Sequence, residues 1–318
     1  VARVDGLPTY AVVSPVRDEV EHFARTAEAM LDQTYQPQEW IVVDDGSTDG
    51  TRELAQRYAD AHGWITVIDS GKVHERARGA PIVQAFERGR SHLRERPEIT
   101  VKLDGDLFLP SHYFAWVARV FADDPRAAIV GGVALVHDGE RWVSDIGRKA
   151  AVNGVAKSYR TAFLEEIGGL PASMGWDGID EYSARARNWR VHVLTELGLL
   201  HYKRRGSKQV WWRSRWEEGR GSHYMGYSRS FLVVHVAYRM LAERPRFLGG
   251  LVLGAGFLFG RLTGAPQISD DAAKTLLRSD QHARLRHLAK GRSRLAPTAG
   301  PGGGPAFTAT GERSRTDR

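Results

Sequence analysis

Three short apolar runs, Tyr10–Val16, Trp40–Val43 and Ile65–Ile68, alternate with segments of helical spacing at about 19–33, 47–62 and 77–95. Strands that alternate with helices of this length predict an α/β fold, with a Rossmann-like, mostly parallel central sheet, right-handed crossovers and helices on its faces. Ligands of such sheets gather outside the carboxyl ends of the strands. Those ends are acidic here. Asp18-Glu19 follows the first run, Asp44-Asp45 the second, and Asp104-Gly105-Asp106 ends a further apolar run that begins at Thr100.

In an extended chain, residues i and i+2 point to the same side at about 6.5–7 Å, so Asp104 and Asp106 can face one ligand. Gly105 between them lacks a Cβ, which allows the backbone to bend and a bulky anion to approach. Neighbouring carboxylates repel, and a divalent cation is the usual remedy. A site with one or two carboxylates suits Mg²⁺ or Mn²⁺, whose shell is completed by water and substrate phosphates. The stretch Asp44–Thr51 reads as a strand-to-helix turn with Ser47, Thr48 or Asp49 as N-cap. A carboxylate at such a strand tip can accept hydrogen bonds from a ribose or base. No Walker sequence and no well-placed G-x-G-x-x-G is present, so metal and basic side chains are expected to hold phosphate.

The 318 residues contain no cysteine, which excludes disulfides and zinc–thiolate sites and permits a reducing compartment. The net charge of +7 fits a phosphate-rich substrate or an anionic membrane surface. Nucleic acid is not expected as a partner, because zinc-finger spacing, aromatic RNA-binding signatures and a recognition-helix pattern are all missing. Val1–Asp5 gives no sign of a secretory signal, and the expected location is cytoplasmic, including the inner face of the plasma membrane.

Three stretches in order, Val12-Val-Ser-Pro-Val-Arg-Asp-Glu19, Ile41-Val-Val-Asp-Asp-Gly-Ser-Thr-Asp-Gly-Thr51 and Lys102-Leu-Asp-Gly-Asp106, resemble the family 2 glycosyltransferases of the GT-A fold. The resemblance extends over about residues 8–220. It implies inverting transfer of a sugar from a nucleotide diphosphate donor to a hydroxyl acceptor, whether glycan, lipid-linked or small molecule. It also implies that Asp44 and Asp45, with Pro15, Val16 and Glu19, hold the base and ribose, and that Asp104, Gly105 and Asp106 form the D-x-D element at ribose and metal. Arg76 and Arg78 lie where similar proteins place a basic residue near base or phosphates.

The catalytic segment by this resemblance is Gly175-Trp-Asp-Gly-Ile-Asp-Glu-Tyr-Ser-Ala-Arg185. An inverting transfer needs a carboxylate to take the acceptor's hydroxyl proton. The family's order is Glu-Asp, whereas here it is Asp180-Glu181; alignment of the helix that follows favours Glu181 as base, with Asp180 as the alternative and Asp177 third. His223, or His201, is the expected histidine of the metal site. Gly131 and Gly132 mark a strand that a sugar or acceptor can approach.

The domains expected are residues 1–226 for the transferase, divided into a nucleotide-binding half of about 8–110 and an acceptor-binding half of about 111–226. A helical extension, 227–289, would touch membrane or oligomerise, and 290–318 reads as a disordered basic tail. Two rival readings are a sugar-phosphate nucleotidyltransferase, which would need a Gly-rich basic loop absent from Val12–Glu19, and a non-catalytic nucleotide-sugar-binding scaffold of a membrane glycan-assembly complex.

Overall fold

A computed structural model describes residues 6–71, 80–137, 142–144, 151–173, 175–202, 211–242 and 247–289. Arg76, Arg78 and the expected tail lie outside them. In chain order the elements are β1 (Tyr10–Val16), α1 (Val20–Leu31), β2 (Glu39–Asp44), α2 (Thr51–Ala61), β3 (Ile65–Asp69), α3 (Ala80–Ser91), β4 (Ile99–Leu103), β5 (Leu107–Phe108) and α4 (Tyr113–Asp123). They continue with β6 (Ala127–His137), β7 (Trp142–Ser144), β8 (Ala156–Arg160), α5 (Thr161–Glu166), α6 (Trp176–Ala186) and β9 (Arg190–His201). Four helices follow, α7 (Trp211–Tyr224), α8 (Arg229–Ala242), α9 (Leu248–Leu262) and α10 (Asp271–Ala289).

One sheet runs in the order β3-β2-β1-β4-β8-β6-β9-β5, with β7 paired to β6. Its first four strands are parallel, as the alternating pattern predicts. The second half is mixed, because β8 runs antiparallel to both β4 and β6, and β5 runs antiparallel to β9. Successive side chains of a strand go to opposite faces. Val12, Val16, Trp40 and Val42 therefore join Phe23 of α1, Ala55 of α2 and Phe114 of α4 in one buried cluster. Val13, Ile41 and Val43 join Phe86 of α3 and Phe163 of α5 in the other. Runs that are apolar at every position have a helix layer on both faces.

The C-terminal helices return to this body. Ile268 and Ala273 pack on Ile179 of α6, Arg187 pairs with Asp270 at 2.6 Å, and the Tyr182 hydroxyl donates to Asp280 at 2.7 Å. Among the described residues, no helix is long and apolar enough to cross a membrane. A cavity of 580 Å³ lies at the amino ends of β1 and β2, lined by Thr9, Tyr35, Glu39 and Trp64. The acidic strand ends are at the other edge.

Candidate active site

The loops after β1 and β2 are built into each other. Asp18 takes a positive φ of 50°, and its carboxylate accepts from the Thr48 N–H at 2.8 Å. Ser47 Oγ accepts from the Asp18 N–H (3.1 Å), Thr51 Oγ1 from Glu19 N–H (2.7 Å) and Asp49 Oδ2 from Val20 N–H (3.1 Å). Polar residues of the second loop thus satisfy the orphan amides that open α1. The N-cap of α2 is not Ser47, Thr48 or Asp49 but Gly50, at φ 95°. Asp49 divides its carboxylate between the two helices, Oδ2 accepting from the Val20 N–H and Oδ1 from the Thr51 N–H at 3.0 Å, and Gly50 takes the left-handed conformation that joins this loop to α2.

Behind this clasp, Asp44 is 2% exposed and accepts from the Ser47 N–H, with Arg52 at 3.7 Å. Asp45 accepts from the Ser70 hydroxyl at 2.8 Å and lies 3.9 Å from Arg17. Pro15 and Val16 close β1 next to it, and the Asp45 N–H donates to Val16 O at 2.9 Å.

β4 leads directly into the D-x-D turn. The Thr26 hydroxyl lies 2.8 Å from both the Gly105 and Leu107 carbonyls and accepts from the Leu107 N–H, which pins the turn to α1. β5 then pairs with the end of β9 in a register that sets Leu107 opposite His201, and the Tyr202 N–H donates to Asp106 O at 2.9 Å. This pairing delivers His201 to the acidic turn. Its Nε2 is 3.2 Å from Asp106 Oδ2, and one ligand atom from each of Asp104, Asp106 and His201 falls within 4.8 Å of the others.

His223 is elsewhere, against the Phe257 ring with its Nε2 3.0 Å from Ala265 O. The histidine beside the acidic pair is therefore His201; the expectation of His223 fails because α7 turns that ring onto α9. Gly105 also serves a different end from the one expected. A Cβ there would come within 2.3 Å of Glu19 Oε2 and 2.8 Å of Val16 Cγ1, so the space is filled by protein and not left for an anion. Likewise a Cβ on Gly132 would meet the Leu197 carbonyl at 2.2 Å, and one on Gly131 would meet Val152 Cγ1 at 2.4 Å. Gly132 lets β6 and β9 close across the irregularity in their pairing at Gly132/Val133, and Gly131 makes room for Val152 and the Ala156 carbonyl on the β8 side.

Two buried lysines that the sequence reading passed over sit directly opposite each other on antiparallel β4 and β8, Lys102 against Lys157. Lys102 pairs with Asp104 and donates to Gly154 O at 2.8 Å. Lys157 donates to both oxygens of Asp180, at 3.0 and 2.9 Å, and lies 3.5 Å from Glu181 Oε1. The Trp176 ring lies 5.5 Å from one ammonium and 5.9 Å from the other. The sequence signal was a lysine inside β4, a strand otherwise free of charge, and a second inside β8.

The acids of α6 differ sharply in exposure. Asp180 is fully buried, and it also accepts from the Tyr159 hydroxyl at 2.7 Å. Burial pushes its carboxyl up to about 6, with Lys157 opposing and Glu181 adding to the shift. Burial alone would lower the Lys157 ammonium, yet it is raised, because Asp180, Glu181 and Asp177 outweigh desolvation. Glu181 accepts from the Val152 N–H at 2.8 Å on one oxygen and from Arg185 at 2.9 Å on the other. Asp177, in the first turn of α6, is exposed. It borders Gly154, the residue whose carbonyl Lys102 holds: a Cβ on Gly154 would meet Asp177 Oδ2 at 3.2 Å. The Asp104 carboxyl is raised by burial, with Lys102 opposing and Asp106 adding.

Comparison with known proteins converges on these elements. Residues 11–166 match the family model described as Glycosyl transferase family 2. Glycosyltransferase AglE of Haloferax volcanii is 34% identical over 64 residues, 20% of this chain and 21% of that protein. TuaG of Bacillus subtilis, described as a teichuronic acid biosynthesis glycosyltransferase, is 35% identical over 82 residues, 23% of this chain and 32% of its own length. The matched stretches thus span a third or less of each of these relatives. Among solved structures, S. aureus TarS in complex with UDP-GlcNAc aligns with a TM-score of 0.56 at 15% identity, covering 89% of this chain and 92% of that one. The mannosyltransferase PcManGT from Pyrobaculum calidifontis, in complex with GDP-Man and Mn²⁺, aligns with a TM-score of 0.50 at 17% identity, covering 90% and 83%. At such identities the likeness is one of fold, the GT-A fold that the resemblance of the three motifs implied. The stretch 11–166, which carries the clasped loops and the D-x-D turn, thus belongs with the family 2 glycosyltransferases.

Proposed function

We propose that this protein transfers a sugar, with inversion, from a nucleotide diphosphate donor to a hydroxyl acceptor. The observation that carries this reading is the convergence of Asp104, Asp106 and His201 at the carboxyl end of the sheet. The site's position is where α/β folds bind nucleotides, and the neighbours in complex with GDP-Man and UDP-GlcNAc support a donor of that class.

The donor set fits a divalent cation. Two carboxylates and an imidazole suit Mn²⁺ and accommodate Mg²⁺, and the pair's excess negative charge calls for one. Asp104, Asp106 and His201 would hold it, where it offsets charge developing on the leaving diphosphate. Asp44 and Asp45, with Pro15, Val16 and Glu19 behind them, are our candidates for the base and ribose contacts.

For the general base we select Asp177. Asp180 and Glu181 are saturated from within the protein by Lys157, Tyr159, Val152 and Arg185. Asp177 is exposed and sits on the Gly154 side of α6, toward Asp104. Its carboxylate takes the acceptor's hydroxyl proton as that oxygen bonds to the anomeric carbon. The bond from that carbon to the diphosphate oxygen breaks, and its electron pair leaves with the nucleotide diphosphate. Asp180 and Glu181 act as positioning residues that fix α6 on β8.

The test is calorimetric binding of UDP-, GDP- and dTDP-sugars to the purified protein, each with and without Mn²⁺. Metal-dependent binding of one nucleotide class, lost in Asp106→Ala, is the expected result. Absence of any nucleotide binding by the folded protein would overturn the reading.

A further inference from the structure

α9 is built inside out. Its buried positions are Gly249, Gly250, Leu253, Gly256, Phe257 and Gly260, whereas Leu248, Leu251, Leu258, Phe259 and Leu262 face outward, between 46% and 77% exposed. The glycines are required where they are. A Cβ on Gly256 would lie 2.3 Å from the Trp216 carbonyl of α7, and one on Gly250 would lie 2.6 Å from the Val236 carbonyl of α8. Small residues that bring helix backbones together, with large apolar residues turned away, are the packing rule of helices in lipid. In water the large side chains would be expected inside.

α8 repeats the pattern. Val234, Tyr238 and Leu241 are exposed at a spacing of four and three residues, 41–67% open, which sets them on one face. On α8, His235 and Arg239 reach Glu218 of α7, and Val236 and Met240 meet α9. On α9, Gly256 and Gly260 meet α7, and Gly250 and Gly254 meet α8. Apart from Phe259, whose ring lies 5.3 Å from that of Trp216 on α7, the exposed apolar residues named on both helices are the ones turned away from α7. The two stripes share one outer side of the pair.

We propose that this outer side of α8 and α9 docks in the interfacial layer of an anionic lipid bilayer. Each helix is too short to span, at 14 and 15 residues, but an apolar stripe along a helix lying in the membrane plane needs no spanning length. Charge identifies the occupant. Neither helix contains an acidic residue, while Arg229 at the start of α8 and Arg261 near the end of α9 are exposed. Pairing with a second copy would bring these arginines together, whereas lipid phosphates complement them.

The test is co-sedimentation of the full chain with phosphatidylcholine vesicles, with and without phosphatidylglycerol. Size-exclusion chromatography with light scattering is run in parallel. Partition into the anionic vesicles is expected, falling about a hundredfold in a Leu251→Asp/Leu262→Asp variant and about fivefold per substitution in Arg229→Gln and Arg261→Gln. The substituted leucines are exposed, and an unchanged thermal midpoint verifies that the variant is folded. Equal sedimentation of wild type and the double variant, or a dimer in solution that the leucine substitutions dissociate without any vesicle binding, would overturn the proposal. Lipid partition is read without donor or metal, so it stands or falls apart from the sugar-transfer reading.

Discussion

Two acidic clusters, each held by one of the lysines that face each other across β4 and β8, are neutralised differently. At the end of β4, Asp104 and Asp106 share one lysine, Lys102, and a histidine, and their side chains remain 26% and 16% exposed. Across the sheet ladder, Asp180 and Glu181 are matched by Lys157 and Arg185 and are sealed at 0% and 4%. A carboxylate pair that its own protein balances is holding a helix in place. A pair left short of positive charge and open to solvent is where an external cation and an anionic substrate belong.

The most damaging change should be Asp106→Ala, which deepens nothing but removes the open cluster's link to His201. Sugar transfer is expected to fall about a thousandfold, with Mn²⁺-dependent nucleotide binding lost in calorimetry and the thermal midpoint little altered. Lys157→Met attacks the sealed cluster and should instead cost about 3 kcal/mol of stability in urea unfolding, by leaving Asp180 buried without its ammonium. Should the two variants exchange phenotypes, the distinction between a working and a structural cluster collapses.

Asp177→Asn should lower kcat about a hundredfold with donor affinity and stability retained. Glu181→Gln provides the contrast, because a comparable loss of turnover with intact stability there would return the base to Glu181. The sealed pair should also be visible in pH dependence. Asp180 titrates at about 6 in the folded protein against an ordinary 3.8, so the folded state binds the extra proton. Stability owed to this group declines as pH rises from about 4 to about 6. Relative to Asp180→Asn, wild type should lose about 2 kcal/mol across that window, read from urea midpoints at each pH. The smallest effect sharpens the open cluster: Lys102→Met removes its internal counter-charge, and Mn²⁺ should bind roughly tenfold more tightly.

The parallel half of the fold was legible because every position of Trp40–Val43 is apolar and acids punctuate each strand end. The D-x-D pair was legible for the same reason. His201 was not separable from His223, because its placement depends on β5 pairing with β9, a contact between residues 94 apart in the chain. Lys102 and Lys157 were missed because a lysine within a strand looks like an edge or surface position; burial opposite each other needs the β4–β8 register. The exposure of Asp177 against the burial of its neighbours follows from which face of α6 lies on β8, and a helix of this length offers the sequence reader several faces. The glycines of β6 suggested approach by a sugar or acceptor, but the space a Cβ would need there is taken by the protein itself, by Val152 at Gly131 and by the Leu197 carbonyl at Gly132.

The clasp between the loops after β1 and β2 has a consequence for anyone who would recombine this chain with a relative. Ser47, Thr48, Asp49 and Thr51 carry hydrogen bonds on behalf of Asp18, Glu19 and Val20. The two segments therefore form a single cassette. A chimera that swaps the second segment alone strips α1 of its opening bonds, whereas one that moves both together carries its own complement and is the design to build.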